Sequence, residues 1–283
     1  MPHTHPLFTT ITLQALFFMF TGLIQQLGQL TAITPALTDS SDSSETSQGL
    51  VWTITGHFLP EDPLVLGESI ALNGVCTTVT HIDDSGQQFN VLLSPETLNV
   101  TTLKHQQSGS PLNLERSLKA SDRMGGHWVT GHVDSTGVVV DVQPDGACWR
   151  VVIRLLDADK APLILPKGSI TVDGISLTVN EVQPLRNGGT QFGVAIIPHT
   201  WEHTTIHTYQ PDTLVNLECD LMGKYVQQWV APYLAGQSQP LAPAPSSHAE
   251  DGIPDAFFPS ALGTSHIHTG RWFNLQGPPQ MGP

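Results

Sequence analysis

The chain has few basic residues. Of its 283 residues, 11 are Lys or Arg and 25 are Asp or Glu, which gives a formal net charge of −14 at pH 7. The basic residues form no run. Nucleic acids and anionic membranes are bound by clustered Lys and Arg. The composition therefore argues against both as partners.

Cysteine is scarce as well. The three cysteines, Cys76, Cys148 and Cys219, are odd in number and irregularly spaced. This usage is typical of reduced thiols in an intracellular protein and does not fit a disulfide framework. We therefore expect a cytoplasmic location.

Long apolar runs are also few, and the main candidate is residues 7–24. It has no preceding basic residues, which a signal peptide needs. It also contains Thr and Gln, which a membrane span of about 20 residues largely avoids. We expect residues 1–18 to be an N-terminal extension outside the fold, or Met19 to be the real start of the protein, with a targeting segment as the remaining alternative.

The chain contains a repeat with a period of about one hundred residues. Four blocks recur in the same order, at offsets of 109, 100, 103 and 103. A period of this size makes each unit a small domain. The paired blocks are 19–30 with 128–139, 67–80 with 167–180, 94–103 with 197–206, and 111–118 with 214–221.

The repeat predicts the domain limits. We expect a first unit over 19–118 and a second over 119–221, the second repeat itself beginning near Gly125. Apolar residues at helical spacing predict a C-terminal helix over 222–235. The Ser-rich segment 38–49 indicates an insertion in a loop, and the Pro-rich segment 236–283 predicts a disordered tail.

Each unit contains a predicted β-hairpin. GESIALNGVCTTVT (67–80) and KGSITVDGISLTVN (167–180) place Asn-Gly and Asp-Gly between β-favouring residues, the strongest short hairpin signal. Alternation puts Cys76 and Thr78 on one strand face, and Ser176 and Thr178 on the equivalent face of the other unit. Short strands with Gly-rich turns favour an all-β fold, either a barrel or a sandwich.

These blocks closely resemble the riboflavin synthase family over roughly residues 19–235. The matching motifs are MFTG (19–22), GESIALNGVCTTVT, PETL (95–98), LNLERSL (112–118), GGHWVTGHVD (125–134), KGSITVDGISLTV, IPHTWEHTTI, and VNLECD followed by KY (224–225). The resemblance implies two tandem, internally duplicated six-stranded Greek-key β-barrels and a C-terminal α-helix that gathers three subunits.

The resemblance also implies a reaction. The family dismutates two molecules of 6,7-dimethyl-8-ribityllumazine by moving a four-carbon unit, which yields riboflavin and 5-amino-6-(D-ribitylamino)uracil. It implies no cofactor and no metal. Each site would take two lumazines, between the N-barrel of one subunit and the C-barrel of a neighbour in a homotrimer. Lumazine synthase is a further candidate partner.

Carried onto this sequence, the resemblance gives candidate site residues. Unequal roles for two identical substrates suggest that the mismatched repeat positions carry the chemistry and the matched positions bind either copy. The catalytic candidates are Cys76, His132, Ser176, Asp173 and Asp220. The substrate-binding candidates are Phe20, Thr21, Gly22, Ser69, Thr78, Gly131, Lys167, Thr178, Ile197, Pro198 and Thr200.

The roles of these residues stay open at this stage. His132 is the natural base for the 7-methyl proton near neutral pH. Cys76 either attacks C7 of the other lumazine or places a water there. Ser176 and Asp173 either polarise or deprotonate such a group. Leu92 stands where the family commonly has an Asp, which puts one substrate contact in the first barrel in doubt.

The leading alternative is a non-catalytic lumazine- or flavin-binding antenna protein on the same fold. Such binders tend to lose second-site residues, whereas Cys76, His132 and Ser176 are all present here. A barrel with unrelated cargo is a third interpretation, since fold alone does not fix function.

Overall fold

The structure is a computed structural model that describes residues 19–36, 49–186 and 188–234. The expected extension 1–18, nearly all of the Ser-rich segment and the Pro-rich tail lie outside the described residues. Twelve strands and three α-helices are described. The strands of the first half are β1 (Gln26–Pro35), β2 (Leu50–Thr55), β3 (Ser69–Leu72), β4 (Val75–Ile82), β5 (Gln88–Leu93) and β6 (Pro111–Arg116).

The second half repeats this series, with short helices at matching places. Its strands are β7 (Ser135–Asp145), β8 (Cys148–Leu155), β9 (Ser169–Val172), β10 (Ile175–Pro184), β11 (Thr190–Ile196) and β12 (Leu214–Cys219). The helices are α1 (Pro95–Val100), α2 (Pro198–His203) and α3 (Leu221–Leu234), with 3-10 turns at Thr102–His105, Ala158–Leu163 and Thr205–Thr208.

Each set of six strands closes into an antiparallel barrel. The strand order is β1-β2-β5-β4-β3-β6 in the first barrel, and the second barrel has the same circular order in its own strands. Along the strands, residues that face the barrel interior alternate with residues that face outward, as in closed barrels generally. Trp52, Phe89 and Leu114 are buried in the first barrel, and Ile153 and Phe192 in the second. The expected fold class is confirmed.

The two predicted hairpins are present. Asn73 and Asp173 have φ of 47° and 46°, and the following glycines have φ of 76° and 80°, as a type I′ turn demands. The two turns meet between the barrels, since a Cβ on Gly74 would lie 2.6 Å from the backbone nitrogen of Gly174. Glycine is therefore required there by contact as well as by φ.

Two asparagines join the barrels in a near-symmetric way. The Asn113 Nδ2 donates to the Asp173 carbonyl, and the Asn216 Nδ2 donates to the Asn73 carbonyl, both at 2.9 Å. Their side-chain oxygens accept from backbone N–H groups at the start of the 3-10 turns, Thr205 and Thr102 respectively, at 2.8 Å. Because these groups are buried, the network fixes one barrel against the other.

The C-terminal helix begins at Leu221, one residue earlier than expected. Asp220 precedes it and accepts from the Met222 N–H at 2.9 Å, which caps the first turn. One face of α3 is apolar and exposed, with Val226 58% and Trp229 55% exposed. Across the described residues, no helix is both long and apolar enough to cross a membrane.

Candidate active sites

Two short segments, residues 19–22 and 128–131, lie between the barrels and contain several of the candidate residues. We call them the crossing segments. Phe20 and Val129 pair as an isolated antiparallel bridge, with N–H to carbonyl distances of 2.8 and 3.2 Å. Gly22 lies two residues after Phe20, in the segment ahead of the first barrel, and Gly131 lies two residues after Val129, in the segment ahead of the second. Both glycines have φ of 76°.

Each crossing segment touches the opposite barrel. The Gly22 carbonyl accepts from the Ser176 N–H at 2.7 Å, and the Gly131 carbonyl accepts from the Cys76 N–H at 2.9 Å. A Cβ on either glycine would lie 2.6 Å from the Cβ of its partner. Cys76 and Ser176 therefore occupy equivalent positions, each closed off by backbone that leads into the other barrel.

A buried glutamate holds each crossing segment. Glu115 Oε1 accepts from the Thr21 N–H at 2.7 Å and from the Thr21 hydroxyl at 2.8 Å, while Oε2 accepts from the Gly22 N–H at 3.0 Å. Glu218 does the same for Thr130 and Gly131, at 2.8, 2.7 and 3.0 Å. Glu115 lies on β6 and Glu218 on β12, the last strand of each barrel. The last strand of each barrel thus anchors the segment that leads into the same barrel.

The two glutamates differ in their charge environment. Burial raises the pKa of Glu115 to about 7, against the hydrogen bonds from Thr21 and Gly22. Burial also raises the pKa of Glu218, but the Lys224 ammonium, 4.0 Å away, opposes the rise. Lys224 is bonded mainly to Asp134, at 2.7 Å.

The first cluster surrounds Cys76. This residue lies on β4, opposite Ala71 and in the same hairpin as the cross-strand pair Ser69 and Thr78. Burial raises the pKa of the Cys76 thiol, and the neighbouring Ser69 hydroxyl opposes the rise. A protonated thiol donates hydrogen bonds and attacks only after losing its proton. His132 follows Gly131 and is exposed.

The second cluster surrounds Ser176 and includes a histidine that the sequence did not single out as catalytic. His127 Nδ1 lies 2.8 Å from Ser176 Oγ. His127 Nε2 is buried and has no hydrogen-bond partner within the described part of the chain. Burial lowers the pKa of His127 and the charge of Asp220 raises it. A largely neutral imidazole beside a hydroxyl is suited to proton transfer.

The structure does not bring Asp173 into either cluster. Its side chain is 5% exposed and lies at the turn between the barrels, where Oδ1 accepts from the Asn216 N–H at 2.7 Å and Oδ2 accepts from the Tyr209 hydroxyl at 2.6 Å. Its counterpart Asn73 accepts only the equivalent N–H, that of Asn113. The Asn-to-Asp difference accompanies the change from Gln106 to Tyr209 at the equivalent position, and this buried placement does not support the predicted catalytic role of Asp173.

The other candidates are divided between the interior and the surface. Phe20 is fully buried and packs with Ala71 and Val129, and Cys76 lies against this small apolar cluster. Lys167, with φ of 68°, is exposed at the position that Gly67 holds in the first barrel. Ile197, Pro198 and Thr200 lie at the start of α2, Thr178 is exposed on β10, and Asp220 is half-buried.

Sequence reasoning missed three contributors: His127, Glu115 and Glu218. The glutamates sit in the repeated blocks LNLE and VNLE, so their recurrence was a visible signal. His127 lies one residue ahead of the repeated block that begins at Trp128, and its counterpart in the first half is Phe18. A repeat comparison alone could not select it.

The fold and the paired clusters define a class, that of proteins with two tandem lumazine-binding barrels. A family model described as "Lumazine binding domain" matches residues 21–117 and 130–220. The chain belongs to the riboflavin synthase family, a family of transferases. It is 35% identical over 228 residues to the riboflavin synthase of Meyerozyma guilliermondii, and the match covers 79% of this chain and 92% of that relative. It is 41% identical over 214 residues to that of Mycobacterium tuberculosis, which covers 74% and 97%.

Solved structures agree on the fold. LumP complexed with 6,7-dimethyl-8-(1'-D-ribityl) lumazine matches with a TM-score of 0.56 and 21% identity, over 71% of this chain and 99% of LumP. LumP complexed with riboflavin matches with a TM-score of 0.58 and 20% identity over the same shares. At these identities the likeness concerns architecture alone.

Proposed function

We propose that the chain acts as a riboflavin synthase. It takes two molecules of 6,7-dimethyl-8-ribityllumazine, moves a four-carbon unit from one to the other, and releases riboflavin and 5-amino-6-(D-ribitylamino)uracil. The observation that carries the proposal is the pair of equivalent but unlike clusters, one at Cys76 and one at Ser176. A reaction that gives opposite roles to two copies of one substrate needs two similar pockets with different chemistry.

We assign the proton chemistry to the second barrel. The His127–Ser176 pair offers a neutral imidazole and a hydroxyl 2.8 Å apart, which supports removal of the 7-methyl proton from a lumazine held there. His132, exposed beside the first cluster, is the alternative base. The residues that would hold the ring and ribityl chain are Ser69, Thr78, Gly131, Lys167, Thr178, Ile197, Pro198 and Thr200.

We assign the second lumazine to the Cys76 cluster. The raised pKa of the Cys76 thiol favours a donor of hydrogen bonds over a standing thiolate, so the thiol would place water or polarise the ring before any attack. Leu92 is 53% exposed on the neighbouring strand β5 and offers an apolar contact where the family commonly has a carboxylate.

We further propose a cytoplasmic homotrimer with sites shared between neighbouring subunits. The exposed apolar face of α3, formed by Met222, Tyr225, Val226, Trp229 and Val230, supports this because its members recur every three or four residues and would be buried between helices. Two reactants held face to face gain up to about 7–11 kcal/mol in the best intramolecular models.

The test is direct. Purified protein is mixed with 6,7-dimethyl-8-ribityllumazine without cofactor, and riboflavin is followed by its absorbance. We expect one riboflavin for every two lumazines consumed. Tight binding of lumazine without turnover would instead select the antenna-type protein, and absence of both would reject the proposed function.

A further inference from the structure

The two buried glutamates are linked to the candidate sites in a crossed manner. Glu115 belongs to the first barrel, and through Gly22 it reaches Ser176 of the second. Glu218 belongs to the second barrel, and through Gly131 it reaches Cys76 of the first. In each case the carboxylate accepts the N–H of the glycine at 3.0 Å, and the carbonyl of the same glycine accepts the N–H of the reactive residue.

We propose that Glu115 and Glu218 are positioning residues, each of which fixes the backbone beside the reactive side chain of the opposite barrel. This inference deepens the function proposed above and rests on it. Neither glutamate touches the outer surface, since they are 3% and 1% exposed. They therefore act through Gly22 and Gly131 and do not contact substrate themselves.

The geometry leaves the glycines little freedom. Both have positive φ, and the 2.6 Å that would separate an added Cβ from the Cβ of Ser176 or Cys76 shows how closely the backbones approach. Glycine has the widest choice of backbone conformations, so surrounding contacts, and not the residue itself, hold Gly22 and Gly131 at this φ. The three hydrogen bonds of each glutamate supply such contacts from one side, and the reactive residue supplies one from the other.

The threonines directly before the glycines are held by the same two glutamates. Thr21 and Thr130 are each bonded to their glutamate twice, and the bridge between Phe20 and Val129 lies directly before them. The charge of Glu218 is also among the causes that raise the pKa of Cys76 in the other barrel. Because each chain of hydrogen bonds from a glutamate ends at the reactive residue of the opposite barrel, loss of either carboxylate should disturb the opposite cluster more than the cluster of its own barrel.

The experiment compares Glu115→Gln and Glu218→Gln in the full chain. A Gln keeps the shape and one acceptor but presents an NH2 group in place of one oxygen, so at least one of the three donors loses its acceptor. Glu181→Gln, an exposed residue of the second barrel, is the matched control. Backbone amide exchange is measured residue by residue on the resting protein by NMR.

The expected pattern is crossed. In Glu115→Gln the Ser176 amide should exchange about tenfold faster or more, with Cys76 within about threefold of the unmodified protein; Glu218→Gln should reverse this. For each variant kcat should fall about tenfold or more. Equal effects on both amides, an effect confined to the glutamate's own barrel, or unchanged kcat would overturn the proposal.

A second pair of variants keeps the proposal testable if Glu115→Gln or Glu218→Gln does not fold. Thr21→Val and Thr130→Val remove one hydroxyl donor each and keep the side-chain shape, so the same crossed pattern is expected at smaller size, and its absence would overturn the proposal. The exchange measurement needs no turnover. If the unmodified protein forms no riboflavin, the proposed function fails, while a crossed exchange pattern would still establish the positioning of the backbone.

Discussion

At the scale of single residues, Ser176 differs from its counterpart Cys76 in its partner as well as in its own chemistry. Ser176 shares a hydrogen bond with His127, whereas the Cys76 thiol is buried beside Ser69 with a raised pKa. Equivalent backbone positions thus carry a hydroxyl that can exchange a proton and a thiol that keeps one. This difference is the residue-level basis for giving the two substrates unequal roles.

Replacing Ser176 by Ala should lower kcat by about a hundredfold or more, because positioned acid–base groups contribute on that order. Binding of riboflavin should change only a few-fold, since the pocket walls stay in place. Steady-state kinetics and fluorescence titration measure the two effects, with Ser121→Ala, an exposed serine of the linker, as the control. An unchanged kcat would remove Ser176 from the chemistry.

The stability contribution of Asp173 should depend on pH in an unusual direction. Burial raises its pKa from an ordinary 3.8 to about 7. The folded state therefore holds the proton more tightly than the unfolded state, and the stability that results is complete below about pH 4 and is lost as the pH rises through about 7. The Asp173→Asn variant cannot ionise.

We expect the free energy of unfolding of Asp173→Asn, relative to the unmodified protein, to rise by up to about 1.4 kcal/mol per pH unit between pH 4 and 7. Urea unfolding at several pH values measures this difference. Asp173→Ala should lose about 3 kcal/mol, because the Tyr209 hydroxyl and the Asn216 N–H would stay buried without acceptors. A pH-independent difference for Asp173→Asn would contradict the assignment of the raised pKa.

At the scale of elements, the local signals were the most informative. Asn73-Gly74 and Asp173-Gly174 predicted two hairpins because their φ preferences act within a few residues. The crossing of 19–22 and 128–131 was not predictable in the same way, since it depends on how two finished barrels face each other. For the same reason the sequence did not show the buried setting of Asp173, because the Tyr209 hydroxyl that bonds to it lies 36 residues along the chain.

The helix α3 should carry the assembly of subunits. Val226→Glu places a charge in the middle of its exposed apolar face, and burying an unpaired carboxylate costs several kcal/mol or forces its protonation. We expect this variant to dissociate to single chains in light scattering coupled to gel filtration. Gln228→Glu, an exposed polar position on the same helix, should stay trimeric. A trimer that persists in Val226→Glu would contradict the role of α3.

At the scale of the whole molecule, the two barrels form one unit with two unlike clusters. Asn113 and Asn216 tie the barrels together, and the crossing segments make each cluster depend on both barrels. The sequence repeat revealed the two halves and the family resemblance suggested shared sites. Neither could show that each half of the chain helps to build the reactive cluster of the other half, because that property arises only from tertiary contacts.

The central claim is that one working site combines a Cys76 cluster and a Ser176 cluster from neighbouring subunits, and co-expression of Cys76→Ala with Ser176→Ala tests it most directly. Each variant alone should be nearly inactive. In mixed trimers, some sites pair the intact first barrel of one variant with the intact second barrel of the other, so random assortment predicts about a quarter of unmodified riboflavin formation. Activity no higher than that of either variant alone, in trimers shown to be mixed, would contradict the account.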